Sequence, residues 1–109
     1  MGSQLEIIKI IERKIANLRF DGHHIIRHDG TDYDVWVKNG KLYNEDGPVI
    51  AFGVFKVYYK NGKLHREDGP AIVTWPWLSK YYLNGKEFKD LDDLNYEIRM
   101  QKLKSFLDK

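Results

Sequence analysis

Lys60-Asn61-Gly62-Lys63-Leu64-His65-Arg66-Glu67-Asp68-Gly69-Pro70-Ala71-Ile72 repeats Lys38-Asn39-Gly40-Lys41-Leu42-Tyr43-Asn44-Glu45-Asp46-Gly47-Pro48-Val49-Ile50 almost residue for residue, at a shift of 22. A third Asn-Gly-Lys stands at Asn84 to Lys86, and an Asp-Gly precedes the set at Asp21-Gly22. A period of this length marks a chain assembled from copies of one supersecondary unit, here about two and a half.

Asn-Gly between runs of strand-forming residues is a hairpin signal. A two-residue type I′ turn needs positive φ at both central positions, which Asn tolerates and Gly adopts freely. Hairpins are therefore expected at Asn39-Gly40, Asn61-Gly62 and Asn84-Gly85. The turn fixes the register, so Val37 faces Leu42, Tyr59 faces Leu64, and Tyr82 faces Glu87. Alternation then sorts two faces. Val35, Val37, Leu42, Val57, Tyr59, Leu64 and Tyr82 form the face that packs on helices. Trp36, Tyr43, Tyr58, His65, Tyr81 and Phe88 form the outward face, edged by Lys38, Lys41, Lys60, Lys63 and Lys86. Asp46-Gly47-Pro48 and Asp68-Gly69-Pro70 punctuate each copy and should open new strands at Val49 and Ala71, because Pro cannot donate to a ladder.

Helices bracket this sheet. Ser3 with Glu6 forms a capping box, and Leu5, Ile8, Ile11, Ile15 and Leu18 recur at spacings of three and four, which predicts a helix over 4–18. Asp90 caps a second helix over 91–107, with Leu91, Leu94 and Ile98 on one stripe and Met100, Leu103 and Leu107 on a neighbouring one. The expectation is a single α+β domain over 1–109. It comprises an antiparallel β-meander of repeated hairpins at 21–89, of about six strands, flanked by an N-terminal and a C-terminal helix that cover the stack.

The absence of cysteine favours a reducing, cytoplasmic setting. A net charge of +2, with many charges of both signs, argues against a general polyanion binder and requires any basic surface to be local. No HExxH or comparable spacing supports zinc, and His23 and His24, as strand neighbours, point to opposite faces. No cofactor, metal or catalytic constellation is expected. Glu45, Asp46, Glu67 and Asp68 recur in both copies, whereas a catalytic group is needed once. Their recurrence fits turns in which Asp bonds backbone amides and Glu pairs with Lys or Arg.

The string from Asn61 to Ile72 resembles the tandem repeat of many bacteriophage and giant-virus proteins, which are similar to variant MORN-type β-hairpin repeats. The resemblance covers residues 21 to about 98 and implies a fold module with no common activity. Tyr81-Tyr82-Leu83-Asn84-Gly85-Lys86, running into an acidic helix start, resembles the way such proteins end. Copy one departs from the pattern with Tyr43-Asn44 in place of His65-Arg66. The resemblance implies a viral or phage origin and a protein that occupies and inhibits a host or antiviral-defence protein.

His65 and Arg66 differ between copies, so the repeat frame is not expected to require them and they become candidate contacts; Trp75-Pro76-Trp77 inserts large aromatics into the repeat. The expected partner-binding residues are Trp36, Tyr58, His65, Arg66, Trp77 and Tyr81, chosen for outward position with a large side chain or a guanidinium fork. The alternative is nucleic-acid or nucleotide binding on the same face through stacked aromatics with Lys38, Lys60 and Lys63. An enzyme ranks third. As to oligomeric state, a homodimer is expected through open sheet edges or through the N-terminal helix, whose Ile stripe runs near coiled-coil spacing.

Overall fold

The computed structural model describes residues 4–74 and 78–108. These form two helices and ten strands. Helix α1 (Gln4–Ile15) leads into a long hairpin of β1 (Gly22–His28) and β2 (Thr31–Lys38), and β2 turns at Asn39-Gly40 into β3 (Lys41–Leu42). There follow β4 (Ile50–Phe52), β5 (Phe55–Val57), β6 (Tyr59–Lys60), β7 (Lys63–Leu64), β8 (Ile72–Val73), β9 (Tyr81–Leu83), β10 (Lys86–Phe88) and helix α2 (Leu91–Leu107). The principal sheet runs β1-β2-β4-β5-β8, with β3 also on β2. The hairpins β6-β7 and β9-β10 continue the repeat beyond it.

All three Asn-Gly turns have positive φ at both residues, with Asn at 50–53°. The paired residues are those the turn chemistry predicts: Val37 with Leu42, Tyr59 with Leu64, Leu83 with Lys86, and Tyr81 with Phe88. The β1-β2 hairpin lies outside the repeated Asn-Gly turns. It turns at Asp29-Gly30 with φ of 50° and 76°, so Asp serves as the left-handed residue in place of Asn.

One device recurs in each copy. At Trp36 the N–H donates to the Val49 carbonyl while the Trp36 carbonyl accepts from Tyr43 N–H; at Tyr58 the N–H donates to Ala71 and the carbonyl accepts from His65. The strand thus changes partner at that residue, pairing upstream with a following strand and downstream with its own hairpin. The intervening segment 43–49 or 65–71 must leave the sheet as a loop. This partner change also shortens the strands expected from Val49 and Ala71, and it separates β5 from β6 at Tyr58.

The inward face is as expected. Val35, Val37, Leu42, Val57 and Tyr82 are buried with Val49, Ile50, Ala71 and Ile72, and Ile8, Ile11 and Ile15 of α1 lie on them. The Ile stripe of α1 is therefore part of the core, and the coiled-coil seam proposed for that helix is overturned. The helix also stops at Ile15 instead of 18. Leu18 N–H closes a turn on the Ile15 carbonyl and Leu18 packs against the core, which brings the Ala16 end of the helix over the Asn39-Gly40 turn.

Helix α2 keeps its expected bounds, and its Asp90 cap accepts from Asp93 N–H at 2.9 Å. It packs on β9 and β10, with Leu94 buried, Ile98 half-buried and every residue from 99 to 108 exposed. Met100, Leu103 and Leu107 are exposed. With about 100° between successive residues, that second stripe lies across the helix from Leu94 and Ile98, not beside them. Among the described residues no helix is long and apolar enough to cross a membrane.

Candidate binding grooves

The loops that leave the sheet at each partner change stand side by side and enclose two grooves, one per repeat. The larger, ≈ 690 Å³, lies between segment 43–48 and the segment carrying His65, Arg66 and Asp68, with Tyr58 between them and Lys60 and Asn61 at one end. The smaller, ≈ 320 Å³, lies a repeat earlier and is lined by Asp21, Trp36, Lys38 and the same segment from Tyr43 to Asp46.

Arg66 is held on three sides. Its guanidinium lies 4.1 Å from the centroid of the Tyr58 ring, its Nε donates to Asp68 Oδ1 at 3.0 Å, and Nη1 donates to the Pro70 carbonyl at 3.2 Å. Asn44, one repeat earlier, donates to the Pro48 carbonyl at 2.9 Å and accepts from Asp46 N–H. The two residues do the same work in different chemistry, which corrects the view that the frame does not need Arg66. The Gly-Pro bend is held by residue 44 or 66, while the acidic residues are left as groove lining or take the guanidinium. The Tyr43 hydroxyl bonds Glu45, which raises the phenol pKa.

His65 is also part of the frame. Its Nδ1 accepts the Asn84 N–H at 3.0 Å, which places the ring proton on Nε2; that atom is buried with no partner among the described residues. Burial, opposed by Glu67 and assisted by Lys60, lowers the His65 pKa. Asp21 plays the same part for the first turn, accepting Asn39 N–H at 2.9 Å. Positions 21, 43 and 65 are one repeat apart, so Asp21-Gly22 stands in register with His65-Arg66 and not with the Asp-Gly of the later bends. That periodic spacing was the available signal.

Trp36 is half-buried in the smaller groove with the His23 ring 5.1 Å away, and His23 Nε2 is 2.7 Å from Asp34 Oδ1. His24 bonds the Phe20 carbonyl and His28 lies 3.6 Å from Asp29, so the histidines have separate partners. Among the described residues no three His, Asp or Glu side chains converge as metal ligands. Of the expected contacts, Tyr58, His65 and Arg66 line the larger groove and Trp36 the smaller. Tyr81 is half-buried on the third hairpin opposite Phe88 and lines neither. Trp77 lies outside the described residues. Lys38 sits 4.8 Å over the Tyr43 ring, Lys60 lines the larger groove, and the Lys63 stem lies beside Gly85 of the next hairpin.

The charge of the linings is legible. The smaller groove sets Asp21, Glu45 and Asp46 against Lys38. The larger sets Glu45, Asp46 and Asp68 against Lys60 and Arg66, and Asp68 already pairs with Arg66. Both grooves are lined by the aromatic residue of the partner change and by more carboxylates than cations. No family model, curated protein or solved structure matches this chain.

Proposed function

We propose that this chain is a non-enzymatic binding protein that seats side chains of another protein in its two repeat grooves. The observation that carries the reading is an aromatic residue and carboxylates sharing one groove lining, repeated at the period of the fold: Trp36 with Asp21, Glu45 and Asp46, then Tyr58 with Glu45, Asp46 and Asp68. Aromatic residues are favoured anchors at protein interfaces, and carboxylates around them suit Lys or Arg of a partner. Two grooves in line suit an extended segment or a loop pair. The same carboxylates weigh against nucleic acid, whose phosphates they repel, and the lysines intended for phosphate are partly committed to Tyr43 and to the third hairpin. The repeat's resemblance to phage and giant-virus proteins supports the finer proposal that the partner is a host or antiviral-defence protein and that occupation inhibits it.

The test is affinity capture from a host lysate with the wild-type chain and with a Trp36→Ala/Tyr58→Ala variant whose circular dichroism is unchanged. A stoichiometric protein retained by the first and lost by the second supports the reading, since truncating a central aromatic anchor costs about 2 kcal/mol or more. Equal retention by both chains, or retention only of nucleic acid on a low-salt column, refutes it.

A further inference from the structure

Helix α2 carries large apolar side chains on the side turned away from the sheet. Tyr96 is 62 % exposed, Met100 42 %, Leu103 50 %, Phe106 72 % and Leu107 70 %. Tyr96, Met100, Leu103 and Leu107 are spaced four, three and four apart, the seam spacing of a coiled coil. The opposite side, Leu94 and Ile98, is the one that meets β9 and β10. The helix is thus apolar on two opposed sides, and the domain covers one.

We propose that the exposed seam pairs with the same seam of a second copy, antiparallel, to form a two-fold dimer. The charges beside the seam choose both occupant and direction. Acidic residues occupy the first half of the helix, Asp92, Asp93 and Glu97, and basic residues the second, Arg99, Lys102 and Lys104. In antiparallel pairing Tyr96 packs on Leu107 of the second copy and Met100 on its Leu103. Glu97 then faces Lys104 of the second copy, and symmetry makes that ion pair twice; Arg99 lies beside Phe106 of the second copy. In parallel pairing the flanking residues meet with like sign, Asp92 against Glu97 and Arg99 against Lys104. The seam therefore matches itself in one orientation only. A seam spanning about three turns buries roughly half of a standard interface, which sets a dimer that dissociates on dilution into the micromolar range.

Sedimentation velocity on the full chain from about 5 to 500 μM reads this directly. The expected result is a reversible monomer–dimer equilibrium. Leu103→Asp abolishes it, while the unfolding midpoint measured where both chains are monomeric stays unchanged because that side chain faces solvent in the monomer. Glu97→Lys and Lys104→Glu, singly, each weaken the dimer about tenfold by turning two attractive contacts repulsive, and the two together restore it. A monomer at every concentration overturns the proposal. So does a dimer indifferent to Leu103→Asp. Double-swap affinity well above wild type points to the parallel arrangement, and failure of the double swap to recover affinity points to a different partner for the seam; either result overturns the antiparallel pairing.

Discussion

Replacing Gly40 by Ala should destabilise the protein far more than replacing Gly62, although the two glycines occupy the same position of the same turn. Their φ values are 73° and 79°, so each substitution incurs the left-handed cost of an L residue, about 1–2 kcal/mol. The surroundings differ. A Cβ at Gly62 meets nothing within 4 Å, whereas one at Gly40 falls 2.7 Å from the Ala16 carbonyl oxygen and 3.3 Å from its carbon. An ordinary contact needs roughly 3.4 Å or more, so the end of α1 must retreat by about 0.7 Å while Ile15, fully buried one residue earlier, stays wedged in the core. Forced overpacking of this kind costs about 1–3 kcal/mol. Gly40→Ala is therefore expected to lose about 2–5 kcal/mol and Gly62→Ala about 1–2 kcal/mol. Urea unfolding followed by circular dichroism measures both, with equal m-values as the condition for comparing them. In a domain of this size the difference is also a fall in Tm of several degrees or more. If the two variants unfold within about 0.5 kcal/mol of each other, the close approach of α1 to the first turn is wrong.

Three further outcomes can be measured. The His65 imidazole is held neutral by burial, so its folded pKa lies below the unfolded value near 6.5, and its Nδ1 must accept the Asn84 N–H. Its contribution is complete above the unfolded pKa and declines as pH falls through that value toward the folded one. Denaturant titrations at pH 7.5 and 5.5 should show that loss in the wild type and a smaller one in His65→Gln; identical pH dependence would contradict it. Asp90→Ala removes the cap on Asp93 and should cost about 1 kcal/mol, read as faster amide exchange in the first turn of α2; unchanged exchange there refutes the cap. Arg66→Asn, which installs the residue of the preceding copy, should retain the fold with a loss below about 1.5 kcal/mol, whereas Arg66→Ala leaves the Pro70 carbonyl without its donor and should cost more. Chemical denaturation of the pair decides, and equal losses would mean the bend does not depend on residue 66.

Much of the fold is written in local chemistry that reads from single positions. Asn-Gly fixes a turn, the turn fixes register, and register assigns Val35, Val37 and Val57 inward and Trp36 and Tyr58 outward, with no long-range information needed. The β1-β2 hairpin uses the same turn logic, but its Asp29-Gly30 lies outside the repeated string, so the period does not reveal it. What local chemistry does not contain is the partner change at Trp36 and Tyr58. It depends on where the following strand returns, and it alone lifts the loops that make the grooves. The two stripes of α2 were visible as residues, yet their opposition around the axis becomes meaningful only when β9 and β10 claim one of them.

A partner can be met only by positions that the repeat frame leaves free. Asn44 and Arg66 differ but hold the same bend; Asp21 and His65 differ but cap the same turn. Variation at these places is therefore compatible with a fixed backbone and cannot by itself mark a contact. Trp36 and Tyr58 are different: their backbones perform the partner change, which any residue could do, while their rings are not required for it. The partner change itself is indifferent to the side chain, yet a large aromatic stands there in both copies, half-buried and in a groove lining that includes Glu45 and Asp46. Arg66 covers Tyr58 from one side, so the larger groove offers a ring already backed by a cation, and the smaller offers an indole backed by His23. Rings held in this way lose little freedom when another surface meets them, which is the condition for an anchor and the reason the two grooves, and not the variable residues between them, should carry the binding energy.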